Sequence, residues 1–162
     1  MSQTTDLLAL MPDELESFMK SIGEPAYRAG QLFSQMHRGI SPDRMTNIGK
    51  ATLEKMRAAG AHFYLPTVRR KLVSAIDGTV KYLFALEDGN CVESVLMKYN
   101  HGNTVCISSQ VGCRMGCAFC ASTIGGKVRD LLPSEILGQV IAAGADSGER
   151  ISNIVMMGIG EP

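Results

Sequence analysis

Apolar positions recur at helical spacing through roughly the first third of the chain, in short segments. PDELESFMKSIG (12–23) places Leu15, Phe18, Met19 and Ile22 on one side before Gly23. PAYRAGQLFSQMHRG repeats the arrangement with Ala29, Leu32, Phe33 and Met36 before Gly39. Ser41 followed by Pro42 has the form of a helix N-cap with proline at the first helical position, and KATLEKMRAAG closes a further helix at Gly60. Methionine and aromatic residues at this spacing make a core stripe and carry no assigned function.

From about residue 68 the period becomes two. TVKYLFALEDGN alternates Val80, Tyr82, Phe84 and Leu86 against Lys81 and its neighbours, with turn signals at Asp77-Gly78 and Asp88-Gly89. A small antiparallel sheet is expected to run on through CVESVLMKYN, with Cys91, Glu93, Val95 and Met97 on one face. A third pattern begins at Thr104. TVCISS reads as a strand, SEILGQVIAAG as a helix capped by Ser134 with Ile136, Leu137, Val140 and Ile141 on one face, and ISNIVMMGIGEP as a second, buried strand. Strand, helix, strand is the opening of a parallel α/β unit. A buried IVMM strand needs partners on both sides, so the chain is expected to be the N-terminal part of a longer protein.

Composition agrees with a folded domain: 45% of residues are hydrophobic, 20% are charged, and 16 basic residues balance 16 acidic ones. No apolar run approaches a membrane span, and the N-terminus is acidic where a secretory signal is basic, so the expected location is the cytoplasm. The neutral total hides an uneven distribution. Residues 28–71 hold nine basic residues against Asp43 and Glu54, enough for either a basic RNA-facing surface or an ordinary solvated one.

The candidate chemistry lies in TVCISSQVGCRMGCAFCAST, where four of the five cysteines fall within fifteen residues. Cys113, Cys117 and Cys120 are spaced C-x3-C-x2-C, among Gly112, Gly116, Gly125 and Gly126, which allow a backbone to fold back on a metal. A zinc site requires a fourth ligand, and Cys106 and His101 are available, neither at the usual ligand-pair spacing. A 4Fe-4S cluster held by three cysteines leaves one iron open for a cofactor. Unrelated buried thiols are the remaining alternative.

CRMGCAFC matches the signature of radical S-adenosylmethionine enzymes. The longer CISSQVGCRMGCAFCAST, with MGIGEP and GEPAYRAGQLFSQMHRG, resembles the RlmN/Cfr family of ribosomal RNA adenine methyltransferases, more closely its RlmN branch. The resemblance implies an α/β fold in which a small helical and antiparallel-strand accessory region precedes the start of a partial radical-SAM (β/α) barrel. Its expected regions are 1–66 (helical), 67–102 (antiparallel strands) and 103–162 (the beginning of the barrel).

The same resemblance implies that Cys113, Cys117 and Cys120 hold a 4Fe-4S cluster, with Gly160 and Glu161 binding the methionyl group of S-adenosylmethionine. In the family one cofactor methylates a cysteine in the later part of the barrel, and a radical made from a second cofactor turns that methyl group into a bond to adenine. Glu93 is implied as the acceptor of the adenine proton. Cys106 is implied as the cysteine that attacks the linking sulfur, which leaves a disulfide bond. None of the cysteines here stands in the place of the methylated one. The implied partners are large-subunit rRNA, tRNA and an electron donor, with Arg114, Lys127 and Arg129 as candidate phosphate contacts. Two other functions remain in view: methylation at adenine C8 within the same family, and a zinc-stabilised RNA-binding module without catalysis.

Overall fold

The computed structural model describes residues 4–162, which form two compact units, one through Tyr64 and the other Leu65–Pro162. No helix among the described residues is long and apolar enough to cross a membrane.

The first unit contains β1 (Thr5–Asp6), α1 (Pro12–Ser21), α2 (Tyr27–Met36), α3 (Lys50–Ala58) and β2 (Ala61–His62), with β1 and β2 paired in parallel. The helical stripes fill its core: Leu15, Met19, Ala29, Leu32 and Met36 are buried, joined by Leu7, Leu8 and Met56. Burying each large apolar side chain contributes about 1.5–3 kcal/mol. Phe18, Ile22 and Phe33 lie at the margin and are only partly covered. The Ser41–Pro42 signal begins a 3-10 turn, Pro42–Arg44, which ends where Met45 turns to extended backbone and sinks into the core. Basic residues of this stretch are engaged in ion pairs: Arg28 and Lys55 with Glu24, Arg57 with Asp43, and, in the second unit, Lys71 with Asp146.

The second unit is built on one sheet. β3 (Thr67–Val73), β4 (Val80–Ala85), β5 (Cys91–Tyr99), β6 (Gly102–Cys106) and β9 (Ile151–Val155) lie in the order β3-β4-β5-β6-β9. The first four pair antiparallel, and β6 pairs with β9 in parallel across α4 (Pro133–Ser147). That is the expected strand-helix-strand unit. Within the second unit β5 and β6 are hydrogen-bonded neighbours, joined by a turn about residues 100–101.

The period-two strands carry the core. Val80, Tyr82, Phe84, Leu86, Val92, Leu96 and Val105 are buried on one face, and Ile136, Val140 and Ala143 of α4 pack against them. Two expectations change here. The N-cap of α4 is Leu132, not Ser134: Pro133 takes the first helical position and the Glu135 carboxylate reaches back to accept from the Leu132 N–H at 2.8 Å. The buried face of the helix includes Glu135 and Gln139, whereas Leu137 is only half-buried. β9 differs too. It is the last strand of the sheet among the described residues, and Ile154, Met156 and Met157 are exposed rather than buried.

Gln139, 0% exposed, uses its whole amide. Its oxygen accepts from the Ser94 hydroxyl at 2.8 Å and the Ser108 N–H at 2.9 Å, and its nitrogen donates to the Ser108 and Glu135 carbonyls at 3.0 and 3.2 Å. Gln139→Leu leaves those groups buried and unpaired, at about 1–3 kcal/mol each. Amides of β5 and α4 are expected to exchange with deuterium at least a hundredfold faster in the variant; unchanged protection would contradict the assignment.

The Tyr82 hydroxyl donates to Asp146 at 2.8 Å, and the Lys71 ammonium lies 2.5 Å from the same oxygen. Lys71, and after it Tyr82, hold the Asp146 carboxyl below its usual range against the opposing effect of desolvation. A depressed carboxylate contributes stability above its unfolded pKa and loses it as pH falls through the folded one. Asp146→Asn is therefore expected to flatten the acid limb of thermal stability below about pH 4, with little change in slope near pH 7.

Candidate functional site

The cysteine segment is a loop closed at its root. Gln110–Gly112 (β7) and Lys127–Asp130 (β8) pair antiparallel, with Gly112 opposite Lys127, so residues 113–126 emerge and return at one place. Gly112 has φ +71°, and a Cβ there would lie 1.9 Å from the Gly126 carbonyl oxygen, so the two strands meet only because the side chain is absent. Gly116 and Gly126 also take positive φ; Gly125 does not.

All five cysteines are free thiols. Cys113 is buried at the root, Cys117 is exposed at the tip, and Cys120 is half-buried where the chain turns into a 3-10 segment, Ala121–Thr123. The Cys120 N–H donates to the Cys117 carbonyl at 3.0 Å, and the Thr123 hydroxyl to the Cys120 carbonyl at 3.0 Å, which folds the tip back. No three His, Cys, Asp or Glu side chains among the described residues converge as ligands. The donor set nevertheless fits a cluster with one open iron, being three soft thiols from one glycine-hinged loop. Holding one cluster requires these thiols to turn toward one another within 113–126.

The loop stands on a second segment. After β9 the chain continues alongside 107–110, so that the Ser109 and Gln110 N–H groups donate to the Ile159 carbonyl at 2.9 and 3.1 Å, while the Gly158 N–H donates to the Ile107 carbonyl at 3.0 Å. Gly160 has φ +117°, and a Cβ on it would lie 2.5 Å from the Ser109 hydroxyl oxygen. The Glu161 N–H donates to the Gln110 side-chain oxygen at 3.2 Å. Gly160 and Glu161 are thus held against Ser109 and Gln110, four and three residues before Cys113.

Glu93 and Cys106 lie on the face of the sheet opposite the core. Val92, Ser94 and Leu96 are buried, and Cys91, Glu93, Val95 and Met97 alternate with them. Cys106 is paired across the strands with Val95, so Glu93, two residues from Val95, is the diagonal neighbour of Cys106 on that face, a relation of about 7–8 Å in antiparallel pairs. Lys81 on β4 lies 2.8 Å from the Glu93 carboxylate. Arg70, Leu72 and Leu83 line the same shallow depression as Lys81 and Glu93.

Two of the three candidate phosphate contacts are already engaged. Arg129 makes a two-pronged pair with Glu135 at 2.7 and 2.8 Å and also binds Asp88 at 2.7 Å. The bond to Glu135 raises the guanidinium's already high pKa further, more than burial lowers it. Lys127 pairs with Asp130 at 2.7 Å, and that bond, with the one from Gln110, holds the Asp130 carboxyl below its usual range. Arg114 stays exposed on the loop. Residue types alone did not single out Ser108, Gln110 or Gln139. The available signal was a glutamine inside the apolar run ILGQVIAA and the polar triplet SSQ just before the cysteines.

Known proteins are similar to this chain in sequence and in fold. Residues 5–60 match the family described as "Ribosomal RNA large subunit methyltransferase N-terminal domain". The chain is 54% identical over 160 residues to a protein of Lachnospira eligens named "Probable dual-specificity RNA methyltransferase RlmN", an alignment covering 98% of this chain and 45% of that protein. A protein of the same name from Alkaliphilus metalliredigens is 50% identical over 158 residues, 97% of this chain and 45% of its own length. The crystal structure of a radical SAM methyltransferase from Sphaerobacter thermophilus superposes with a TM-score of 0.85 at 38% identity, covering 98% of this chain and 48% of that one. The chain spans about half the length of these relatives.

Thiol exposure gives a direct check of the loop. In the metal-free, reduced protein, alkylation followed by peptide mass spectrometry is expected to modify Cys117 first, Cys106 and Cys120 more slowly and Cys113 last. Early modification of Cys113 would show that the root is open.

Proposed function

We propose, on the premise that this chain is the counterpart of the N-terminal part of RlmN-family radical-SAM RNA methyltransferases, that it serves an enzyme methylating carbon 2 of adenine in large-subunit rRNA and tRNA in the cytoplasm. The observation that carries the reading is the seating of the segment ending in Gly160–Glu161 against the root of a loop with three free thiols. Adenine C2 is electron-poor and does not attack a methyl sulfonium, and a 4Fe-4S cluster with S-adenosylmethionine supplies the one-electron chemistry that avoids this barrier. An external electron donor completes that requirement.

The residues divide the work. Cys113, Cys117 and Cys120 would hold the cluster and Gly160 and Glu161 the methionyl end of S-adenosylmethionine, which together would supply the one-electron chemistry. The target base leaves its stack and approaches the open face of the sheet. There Glu93 accepts the proton from C2, its carboxylate oriented by Lys81. Once the adduct has given up one electron and its C2 proton, Cys106, as thiolate, would form an S–S bond with the sulfur joining protein to base while the S–CH2 bond breaks, and that bond's electron pair, with a proton from solvent, would turn the methylene on the base into methyl. The joined cysteine belongs to the part of the relatives that this chain does not span.

The test uses this chain continued by the remainder found in its relatives, reconstituted without oxygen. A brown protein with about four irons is expected, losing its absorbance on Cys113→Ala, Cys117→Ala or Cys120→Ala and keeping it on Cys106→Ala. Cys106→Ala should cleave the cofactor yet accumulate RNA covalently bound to protein, and Glu93→Gln should slow release of that adduct by about 10²–10⁴-fold. Stoichiometric zinc with no iron-dependent spectrum would refute the cluster. Release of free methylated RNA from Cys106→Ala at the normal rate would refute the role of that cysteine.

A further inference from the structure

We propose that Ser108 and Gln110 form a two-point latch that sets the cofactor-binding segment against the cysteine loop, and that Ser108 is in addition the positioning residue linking that segment to the strand of Glu93. The inference rests on the reading of Gly160–Glu161 as the methionyl site.

Both side chains are buried, Ser108 at 0% and Gln110 at 2% exposure, and each bonds in two directions. The Ser108 hydroxyl donates to the Glu93 carbonyl at 2.7 Å and accepts from the Ile159 N–H at 2.9 Å. One oxygen therefore ties the strand carrying the proton acceptor to the residue before Gly160. The Gln110 amide oxygen accepts from the Glu161 N–H, and its nitrogen donates to Asp130 at 2.8 Å, on the strand by which the loop returns. Lys127 fixes Asp130 in turn.

The fit leaves little slack. A Cβ on Gly158 would lie 2.6 Å from the Ile107 carbonyl oxygen and 2.8 Å from the Ser108 hydroxyl, and one on Gly160 would lie 2.8 Å from Gln110 Cβ. Segment 158–161 thus lies flush on 107–110. Its backbone bonds to Ile107, Ser109 and Gln110 hold it there, while the two side chains fix where its ends point. A displacement of about 1 Å at a reacting centre can cost a hundredfold in rate, so an anchor shared by cofactor segment and base-accepting strand affects both. A residue serving stability alone has no reason to couple them.

The variants are Ser108→Ala and Gln110→Met. In the chain without cofactor, the Ile159 amide is expected to exchange with deuterium at least tenfold faster in Ser108→Ala, and the Glu161 amide faster in Gln110→Met. In the longer protein carrying the relatives' remaining half, both variants should keep normal iron content and cluster absorbance. The KM for S-adenosylmethionine should rise about tenfold, as should the concentration needed for the cofactor-induced change in the cluster's EPR spectrum. Release of the covalent RNA adduct should slow in Ser108→Ala and not in Gln110→Met. If Ser108→Ala does not fold, the KM and EPR shifts in Gln110→Met decide the matter. The latch is overturned if the parent protein responds normally to cofactor while the variants lose only thermal stability, with KM and adduct release within twofold of normal. A parent protein that binds iron but shows no cofactor response overturns the methionyl reading, and the latch with it.

Discussion

The second unit depends on a single buried amide. Gln139 projects from the apolar middle of α4 and satisfies the Ser108 N–H and carbonyl together with the Ser94 hydroxyl. A buried polar group is tolerated when every bond is made, and is expensive when one is missing. This requirement gives the packing a specificity that apolar contacts lack: α4 can slide by a turn against valine and leucine at modest cost, but not against Ser108. The residue so fixed is the one from which the chain leaves the sheet toward the cysteines. The fixed point beneath the candidate site thus lies on the core side of the sheet.

The sheet has an unequal pair of faces. Tyr82, Phe84, Val92, Leu96 and Val105 are sealed by α4, while Lys81, Glu93 and Cys106 stand on the other side and are only half-covered. Ion pairs with this exposure contribute at most about 1 kcal/mol, so the Lys81–Glu93 pair is better understood as orientation than as stability. Groups proposed to react can occupy the open face because the fold does not need it for cohesion.

Electrostatics around the loop divides in the same way. Arg129 joins the turn at Asp88, the strand β8 and the start of α4 through Glu135, and Lys127 anchors Asp130. These cations brace the return path of the loop and are not available to a phosphate without breaking bonds already made. A basic count along the sequence therefore overstates the charge free to meet RNA, as it also does for Arg28, Lys55 and Arg57.

Much was legible without coordinates, for identifiable reasons. Period-two alternation placed Tyr82 and Phe84 in the core and Glu93 on the opposite face, because a strand's side chains have no other way to point. Helical spacing placed Leu15, Met19, Leu32 and Met36 inside for the equivalent reason, and the cysteine spacing identified the loop. Local pattern could not supply what depends on partners distant along the chain. The diagonal of Glu93 and Cys106 is a matter of strand register, the buried place of Gln139 depends on a peptide thirty-one residues away, and the seat of Gly160 depends on a strand some fifty residues earlier. The sequence by itself determined the inward and outward alternation of the strands, the apolar stripes of the first helices and the three-cysteine spacing, since those follow from backbone periodicity and residue type; only tertiary structure decided which side chains meet, since hydrogen bonds are specific in direction and join whatever the fold brings within 3 Å or so.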